Sequence, residues 1–500
     1  MLQARDEPSP GPTSPIFCER LFETVPIMTH MRSIIKFGTD GWRAIIGDGF
    51  TKDNLERVSR ATGEWIKDTY GADSSVLIGY DTRFRGRDFT EHAACVLASM
   101  GLKVVVSDTH APTPAVSWAT LKGGHQAGVV ITASHNPPEY NGFKIKADFG
   151  GPALPDMIEA VERRIESFEE YGYESFDWYV NKGMIEVQPI RQAYIDHVRA
   201  LVDIEAIKEA GIKVVHDAMF GAGQGILTEL LGEDRVIEHR NSINPGFEGT
   251  PPEPIERNLN ALRDMITSNR CDAAIANDGD ADRIGMTDEH GDFVDSHHLL
   301  ALLVDYLHND KGQTGRIVKT FSTTDMLDKM GAALELPVTT TKIGFKYIGG
   351  EFLAGDVLVG GEESGGMAVK GHIPERDGIY IGLVILEMMA KRGKELSRLV
   401  KDLHSQYGVH ASSRQDKHTS PERKDAILIH LAEQDGLSQV AGKPVTRTET
   451  VDGFKYHTAD GWLLIRPSGT EPVLRIYSEA GSTEMSETMV DDAVRQLGLD

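Results

Sequence analysis

Cysteine is scarce in this chain of 500 residues: Cys18, Cys95 and Cys271 stand far apart, with no metal-type spacing among them. That excludes a disulfide framework and a cysteine-built metal site. Three free thiols fit a reducing compartment, so a cytoplasmic location is expected. Long apolar runs are also missing. No stretch approaches the ~20 residues of a membrane-spanning helix, and no membrane partner is expected. The N-terminal segment, with Glu7-Pro8-Ser9-Pro10-Gly11-Pro12, lacks the basic start and apolar centre of a secretory signal. Residues 1–30 read as a disordered tail, and Met28 and Met31 are alternative starts just before the globular pattern. Positive charge is in deficit: 52 Lys and Arg against 76 Asp and Glu give a net charge of −24. Such a surface argues against nucleic acid or an anionic membrane as partner. It leaves room for a small basic pocket that binds a phosphorylated small molecule.

What is present is enough chain for three or four domains. At 40% hydrophobic and 26% charged, the composition is that of a globular protein with several cores. Apolar runs at 76–80 and 103–106 predict strands, and helices are predicted at 54–69 and 90–100, with a long acidic helix at 157–171. The alternation predicts α/β layers with a largely parallel sheet over residues 31–187. A second unit, 188–295, holds a predicted helix at 204–210 and a strand at 211–215. The cluster Gly221-Ala222-Gly223-Gln224-Gly225 that follows has the wrong spacing for a dinucleotide fingerprint and suits a tight turn before a helix. A third unit, 296–405, opens on the apolar helix Leu299-Leu300-Ala301-Leu302-Leu303-Val304. In 406–500, helical stretches precede short strands at 462–465 and 473–477, the texture of an α+β domain.

Three times an apolar strand runs into a polar, glycine-bearing or proline-bearing loop. Val129-Val130-Ile131 leads into Thr132-Ala133-Ser134-His135-Asn136-Pro137, Ala273-Ala274-Ile275-Ala276 into 277–283, and Val357-Leu358-Val359 into 360–366. In α/β sheets chemistry sits at the carboxyl ends of strands, so three related units are expected to present these loops to one cleft. Ser134 can be a nucleophile if something activates it, although Ser, Asn and Pro together also make ordinary turns. Its position is expected to be exposed. Asp278-Gly279-Asp280-Ala281-Asp282-Arg283 places three carboxylates at alternate positions. Their repulsion is costly unless a cation sits among them, and hard oxygen ligands suit Mg²⁺. The glycine that an EF-hand carries at the sixth position of its loop is missing. Gly360-Gly361-Glu362-Glu363-Ser364-Gly365-Gly366 offers acceptors and a hydroxyl to sugar hydroxyls. Arg466-Pro467-Ser468-Gly469-Thr470-Glu471-Pro472, with Arg475, supplies guanidinium groups, hydroxyls and open backbone N–H groups suited to phosphate. Arg43 and Arg83 lie near strands of the serine unit, where either could stabilise a phosphoserine or form a surface ion pair.

In this order, Phe37-Gly38-Thr39-Asp40-Gly41-Trp42-Arg43, the Ser134 loop with Asn141-Gly142-Phe143-Lys144 after it, the aspartate triplet, the Glu362 loop and the Arg466 loop resemble the α-D-phosphohexomutase superfamily. That superfamily comprises the phosphoglucomutases and phosphomannomutases, and a bacterial-type phosphoglucomutase is the best match. The resemblance spans residues 31–500. It implies an α/β fold of four domains, three related α/β units and a C-terminal α+β domain around a central cleft. Ser134 would be phosphorylated, and Asp278, Asp280 and Asp282 would hold Mg²⁺ with a phosphoserine oxygen. Arg43, His135, Lys144 and Arg283 would surround the transferring phosphate. Glu362 and Ser364 would bind sugar hydroxyls, and Arg466, Ser468, Gly469, Thr470 and Arg475 the non-reacting phosphate.

The implied reaction interconverts glucose 1-phosphate and glucose 6-phosphate in two transfers through glucose 1,6-bisphosphate, in a monomer or homodimer. Thr341-Lys342-Ile343-Gly344-Phe345-Lys346 resembles the GFK form of glucose-type mutases and adds Lys342 and Gly344 to the substrate-binding set. The mannose/glucose form tends to carry histidine near position 345 and at position 366, where this chain has Gly366; glucosamine mutases read GEQSGH. The alternatives are therefore a phosphomannomutase or dual-specificity enzyme, then a phosphoglucosamine mutase or an inactive sugar-phosphate-binding homologue. Lys144 is the first candidate for general base and His372 the second.

Overall fold

Four main sheets organise the chain, and the first three share one device. The computed structural model describes residues 35–165, 172–433, 436–468 and 473–499. The N-terminal tail, Cys18, the end of the acidic helix, Gly469 and Thr470 lie outside the described residues. The first sheet contains β1 (Trp42–Ile45), β2 (Ser75–Tyr80), β3 (Lys103–Ser107), β4 (Ala127–Ile131), β5 (Tyr140–Ala147) and β6 (Ile185–Gln188), ordered β1-β5-β4-β2-β3-β6. The second contains β7 (Val214–Asp217), β8 (Val236–His239), β9 (Ala273–Asn277), β10 (Ile284–Thr287) and β11 (Phe293–Val294), ordered β11-β10-β9-β7-β8. The third contains β12 (Arg316–Thr320), β13 (Val338–Thr341), β14 (Val357–Gly361) and β15 (Met367–Val369), ordered β13-β12-β14-β15.

In each, a parallel set ends on an antiparallel return: β4 to β5, β9 to β10, β14 to β15. The sheets are thus mixed, where a largely parallel sheet was expected of the first. Antiparallel neighbours need only a short hairpin, whereas parallel neighbours need a crossover. The three hairpin loops are 132–139, 278–283 and 362–366, the same segments that carry the serine, the aspartates and the glutamates. β4, β9 and β14 are buried along their whole length, as strands with both faces covered must be.

Helix starts follow the sequence. Thr51 accepts from Asn54 N at 3.2 Å, Asp295 from His298 N at 2.9 Å and Asp377 from Tyr380 N at 2.9 Å. The helices expected at 54–69 and 90–100 are Lys52–Tyr70 and Gly86–Ser99. The acidic helix is the shorter Pro155–Glu162. The strand expected at 211–215 begins at Val214, because Gly211 still belongs to the preceding turn at φ 77°. The glycine cluster forms a turn into the helix Ile226–Leu231.

The last unit adds β16 (Ala411–His418), a ribbon of β17 (Gln439–Val440) and β18 (Lys443–Pro444), then β19 (Arg447–Glu449), β20 (Phe454–His457), β21 (Gly461–Pro467) and β22 (Val473–Ala480). Its main sheet, β16-β22-β21-β20-β19, is wholly antiparallel. Helices Pro421–Glu433 and Thr483–Gln496 pack Leu431 and Val490 against Leu463 and Ile465. One apolar core runs through the first three units, with Val130, Ile195, Ile275, Leu299 and Ile385 in it. Each such buried side chain contributes about 1.5–3 kcal/mol. The fourth unit has its own core and meets the third where Phe321 packs with Trp462, Leu464 and Tyr477. No helix among the described residues is long and apolar enough to cross a membrane.

The serine and aspartate loops touch backbone to backbone. A Cβ on Gly279 would lie 2.5 Å from Ser134 O, and one on Gly378 would run into Arg283 O. Gly279→Ala is therefore expected to lose about 1–3 kcal/mol of stability, because backbone and not a flexible side chain must yield. Gly481→Ala, with nothing within 4 Å, is the control and should melt with the parent. Equal melting of both variants and parent would show that the two loops are not in contact.

Candidate active site

Ser134 sits at the mouth of β4 with φ 51°, a left-handed conformation that costs a serine energy and that the surroundings must enforce. Its N–H donates to Thr132 Oγ1 at 2.8 Å, and Thr132 Oγ1 in turn donates to Asp81 Oδ2 at 2.5 Å. Arg83 grips the loop from below: its guanidinium donates to the carbonyls of Ser134, Asn136, Pro137 and Tyr140 at 2.5–3.0 Å. Arg83 therefore shapes the loop's backbone; its donors go to those carbonyls and none to the serine hydroxyl. Ser134 is fully buried, contrary to the exposure expected from the sequence. The reason is the aspartate loop packed on it: Ser134 Oγ donates to Asp278 Oδ2 at 2.7 Å, with His135 Nδ1 at 3.3 Å.

Asp278, Asp280 and Asp282 are fully buried, and each offers a carboxylate oxygen within 4.8 Å of the others. Lys144, on β5 opposite Val130, reaches into them. Its Nζ lies 2.7 Å from Asp280 Oδ2, 2.9 Å from Asp282 Oδ2 and 2.8 Å from Asp40 Oδ2. Arg376 closes the other side, 2.7 Å from Asp282 Oδ2 and ion-paired to Asp40. Thr113 Oγ1 donates to Asp280 Oδ2 at 2.5 Å. Burial pushes the Asp278 carboxyl well above its ordinary range, and the charges of Asp280 and Asp282 push it further. Burial also raises Asp280, but Lys144, Thr113 and Arg376 together more than offset it and the net direction is down.

Burial lowers the Lys144 pKa, yet Asp280, Asp282 and Asp40 raise it by more. An amine held charged this way donates protons and does not take them. This argues against Lys144 as a general base and for it as a fixed positive charge. Asp280 Oδ1 and Asp282 Oδ1 are buried and have no hydrogen-bond partner among the described residues. Two unpaired carboxylate oxygens beside a strained third carboxyl are a hard-oxygen donor set, which fits Mg²⁺.

Above this cluster opens a cleft of about 1200 Å³ lined from all four units. Arg43 and His135 come from the first, Arg283 from the second, Glu362, Ser364 and Arg376 from the third, and Arg466 and Arg475 from the fourth. Arg43 Nη1 donates to Asn136 Oδ1 at 2.6 Å. Burial, then the charges of Arg283, Arg43, Lys144 and Arg83, push the His135 pKa well below the histidine range, so the ring is neutral. Glu362 Oε1 accepts from Gly344 N at 3.0 Å, and burial pushes its carboxyl up to about 7 against the opposing charge of Arg376. Arg466 Nε lies 3.2 Å from Asp452 Oδ2. Ser468, buried, donates its N–H to Val473 O at 2.8 Å. Lys342 is exposed and is not among the residues lining the cleft; only Gly344 of that pair reaches a site residue. His372 bonds Asp377 Oδ2 at 2.8 Å and stacks on His197, away from the cleft lining.

Four family models cover the chain in order: phosphoglucomutase/phosphomannomutase alpha/beta/alpha domain I over 35–172, domain II over 192–291, domain III over 295–407, and the C-terminal domain over 419–496. The chain belongs to the phosphoglucomutase/phosphomannomutase family. It is 33% identical over 463 residues to a phosphoglucomutase/phosphomannomutase of Thermococcus kodakarensis, covering 92% of this chain and 98% of that one. A second T. kodakarensis protein, assigned as a phosphoglucosamine mutase, is 32% identical, with 92% and 97% covered. The crystal structure of a Thermus thermophilus protein assigned as a phosphomannomutase superposes with a TM-score of 0.83 at 34% identity, covering 94% of this chain and 100% of that one. The chain is thus a phosphohexomutase, an isomerase of carbohydrate metabolism with four domains. The relatives' names span three hexoses and do not fix the sugar.

Sequence reading missed two members of this phosphohexomutase site. Asp40 lay inside a recognised segment without being singled out. Arg376 has no motif; its only signal is spatial, since it meets residues of three units. Removing one of the two cations tests the cluster. Lys144→Met in EDTA is expected to lose about 3–5 kcal/mol in urea denaturation, because buried carboxylates are left unpaired. The double variant Lys144→Met/Asp280→Asn should recover part of that loss; strictly additive effects would show that the two charges do not interact.

Proposed function

We propose that this phosphohexomutase interconverts glucose 1-phosphate and glucose 6-phosphate through phosphorylated Ser134 and a bound glucose 1,6-bisphosphate. The observation that carries this reading is Ser134 Oγ, buried and 2.7 Å from Asp278 of the triplet, on a loop whose next residues line a cleft that also holds Arg466 and Arg475. A hydroxyl so enclosed is protected from water, as a phosphoryl carrier must be.

In the first half-reaction the bond from phosphorus to Ser134 Oγ breaks and a bond to O6 of glucose 1-phosphate forms; the proton lost by O6 is matched by the one that Ser134 Oγ takes up as it becomes a hydroxyl, and the second transfer returns a proton from Ser134 to O1. After the bisphosphate turns over, the bond from phosphorus to O1 breaks and the phosphoryl returns to Ser134, leaving glucose 6-phosphate. Asp278, Asp280 and Asp282, with a phosphoserine oxygen, would hold Mg²⁺. When bound, Mg²⁺ supplies charge neutralisation to phosphoryl transfer. Lys144, Arg43 and Arg283 add fixed positive charge around the phosphoryl group. Neutral His135 can donate one hydrogen bond to it. Glu362 and Ser364 receive sugar hydroxyls, and Arg466 and Arg475, with Ser468, Gly469 and Thr470, hold whichever phosphate is not reacting. One anchor for both phosphates lets one serine serve both ends of the sugar.

Glucose is favoured over mannose because Phe345 and Gly366 stand where the mannose/glucose form tends to carry histidine. A Cβ at position 366 would run into the Arg376 methylenes, so a larger side chain there requires Arg376 to move, and the Arg376 guanidinium stands 5.4 Å over the Phe345 ring. Dual use with mannose is the second reading, supported by the likeness to the T. thermophilus protein. Buried, unpaired Cys95 and Cys271 support a cytoplasmic setting.

Coupled assays with glucose, mannose and glucosamine 1-phosphates test the reading. The highest kcat/KM is expected for glucose 1-phosphate; a tenfold preference for another hexose would overturn it. Ser134→Ala should abolish turnover, and wild-type protein exposed to glucose 1,6-bisphosphate should gain one phosphate in intact mass that the variant never carries. Turnover by the variant would remove the serine from the mechanism.

A further inference from the structure

His216 lies on β7, fully buried and outside the cleft lining. Its Nδ1 is 2.9 Å from Glu238 Oε2 on β8, and its Nε2 is 3.2 Å from Asn277 Oδ1 at the end of β9. Asn277 directly precedes Asp278, and its Nδ2 donates to Arg283 O at 2.9 Å, clasping the two ends of the aspartate loop.

The proton positions follow from donor and acceptor chemistry. The Arg283 carbonyl only accepts, so the amide atom facing it is the NH₂ group and Oδ1 faces His216. That oxygen also only accepts, so Nε2 must carry a hydrogen. At the other nitrogen, Glu238 already receives the Thr228 hydroxyl on Oε1 at 2.5 Å. Burial raises the Glu238 pKa, but His216 and Thr228 lower it by more, so the group is a carboxylate at neutral pH. A carboxylate has no proton to give, and Nδ1 must donate as well. Both ring nitrogens are protonated.

We propose that His216, held as an imidazolium by Glu238, is a positioning residue for the aspartate loop: its Nε2 proton orients Asn277, and Asn277 fixes the span from Asp278 to Arg283. This rests on the phosphohexomutase reading of that loop. A neutral His216 keeps one N–H. If ionised Glu238 takes it, a lone pair faces Asn277 Oδ1, the amide is pushed out of place and the carbonyl of Arg283 is released. The ionisable groups around the ring are Glu238 from β8 and, beyond it, Arg191 of the helix Ile190–Leu201, whose charge interacts with Glu238. Asp217, next along β7, is paired with Arg240. The helix Gly378–Arg392 meets Asn277 through Gly378, which has no ionisable side chain.

Two variants and one spectrum test this. His216→Phe removes both donors, and kcat is expected to fall about tenfold to a hundredfold while KM for the sugar phosphate changes less. Glu238→Gln supplies an NH₂ group to Nδ1, so a neutral His216 with hydrogen on Nε2 satisfies both neighbours. That variant should keep the wild-type rate. Histidine ¹⁵N NMR of Mg²⁺-free wild type should show an imidazolium at neutral pH that is absent from His216→Phe and replaced by the neutral Nε2–H form in Glu238→Gln. A neutral His216 in the wild-type spectrum would overturn the proposal, as would a folded His216→Phe with the wild-type kcat. If His216→Phe does not fold, the spectrum and the Glu238→Gln rate decide. A wild type that turns over no hexose phosphate would instead overturn the functional reading, and the spectrum would still judge the imidazolium.

Discussion

Burying charge at the meeting point of three loops is the constraint on which the site depends. Asp40, Asp278, Asp280 and Asp282 converge there, with Lys144 and Arg376 in contact with them and Lys146 3.9 Å from Asp40. Taking such groups out of water is expensive unless they are paired and hydrogen-bonded. Pairing is incomplete. Two carboxylate oxygens stay unbonded and Asp278 is driven toward its protonated form. The cluster carries more negative charge than its own cations balance, and such a surplus suits a hard dication.

The rest of the architecture brings this cluster together. Each parallel set ends in a hairpin that sets one chemical loop at the strand's carboxyl end. Gly279 lets the serine and aspartate loops meet without a side chain between them, and Gly378 lets the helix Gly378–Arg392 close on the end of the aspartate loop. Arg83 directs its donors to four loop carbonyls and so holds Ser134 at a positive φ. The shared apolar core of the first three units keeps the loops in register, whereas the fourth unit brings Arg466 and Arg475 from a separate core. Under the proposed function, a transfer site and a phosphate anchor on separate cores suit a bound intermediate that must turn over.

Much of this was legible in the sequence. The three strand-to-loop junctions, the aspartate triplet and the alternation of layers are local patterns, and local patterns survive in one dimension. What was not legible depends on partners far apart in the chain. Arg376 and Asp40 are 336 residues apart, and Lys144 and Asp280 are 136 apart. Nothing near Arg376 marks it. The burial of Ser134 is likewise set by the aspartate loop, 144 residues away, and not by its own turn-forming neighbours. Lys342 entered the set through the resemblance of its segment to a family form, whereas its side chain is exposed and outside the cleft lining.

Calorimetric titration of Mg²⁺ into EDTA-stripped, unphosphorylated protein at neutral pH tests the charge surplus most directly. If the surplus is real, the wild type binds a single Mg²⁺ and melts at higher temperature when it does, and Asp280→Asn binds more weakly. If the wild type shows neither heat nor stabilisation, the cluster is neutralised by protons on its own carboxyls, and the triplet is not a cation site.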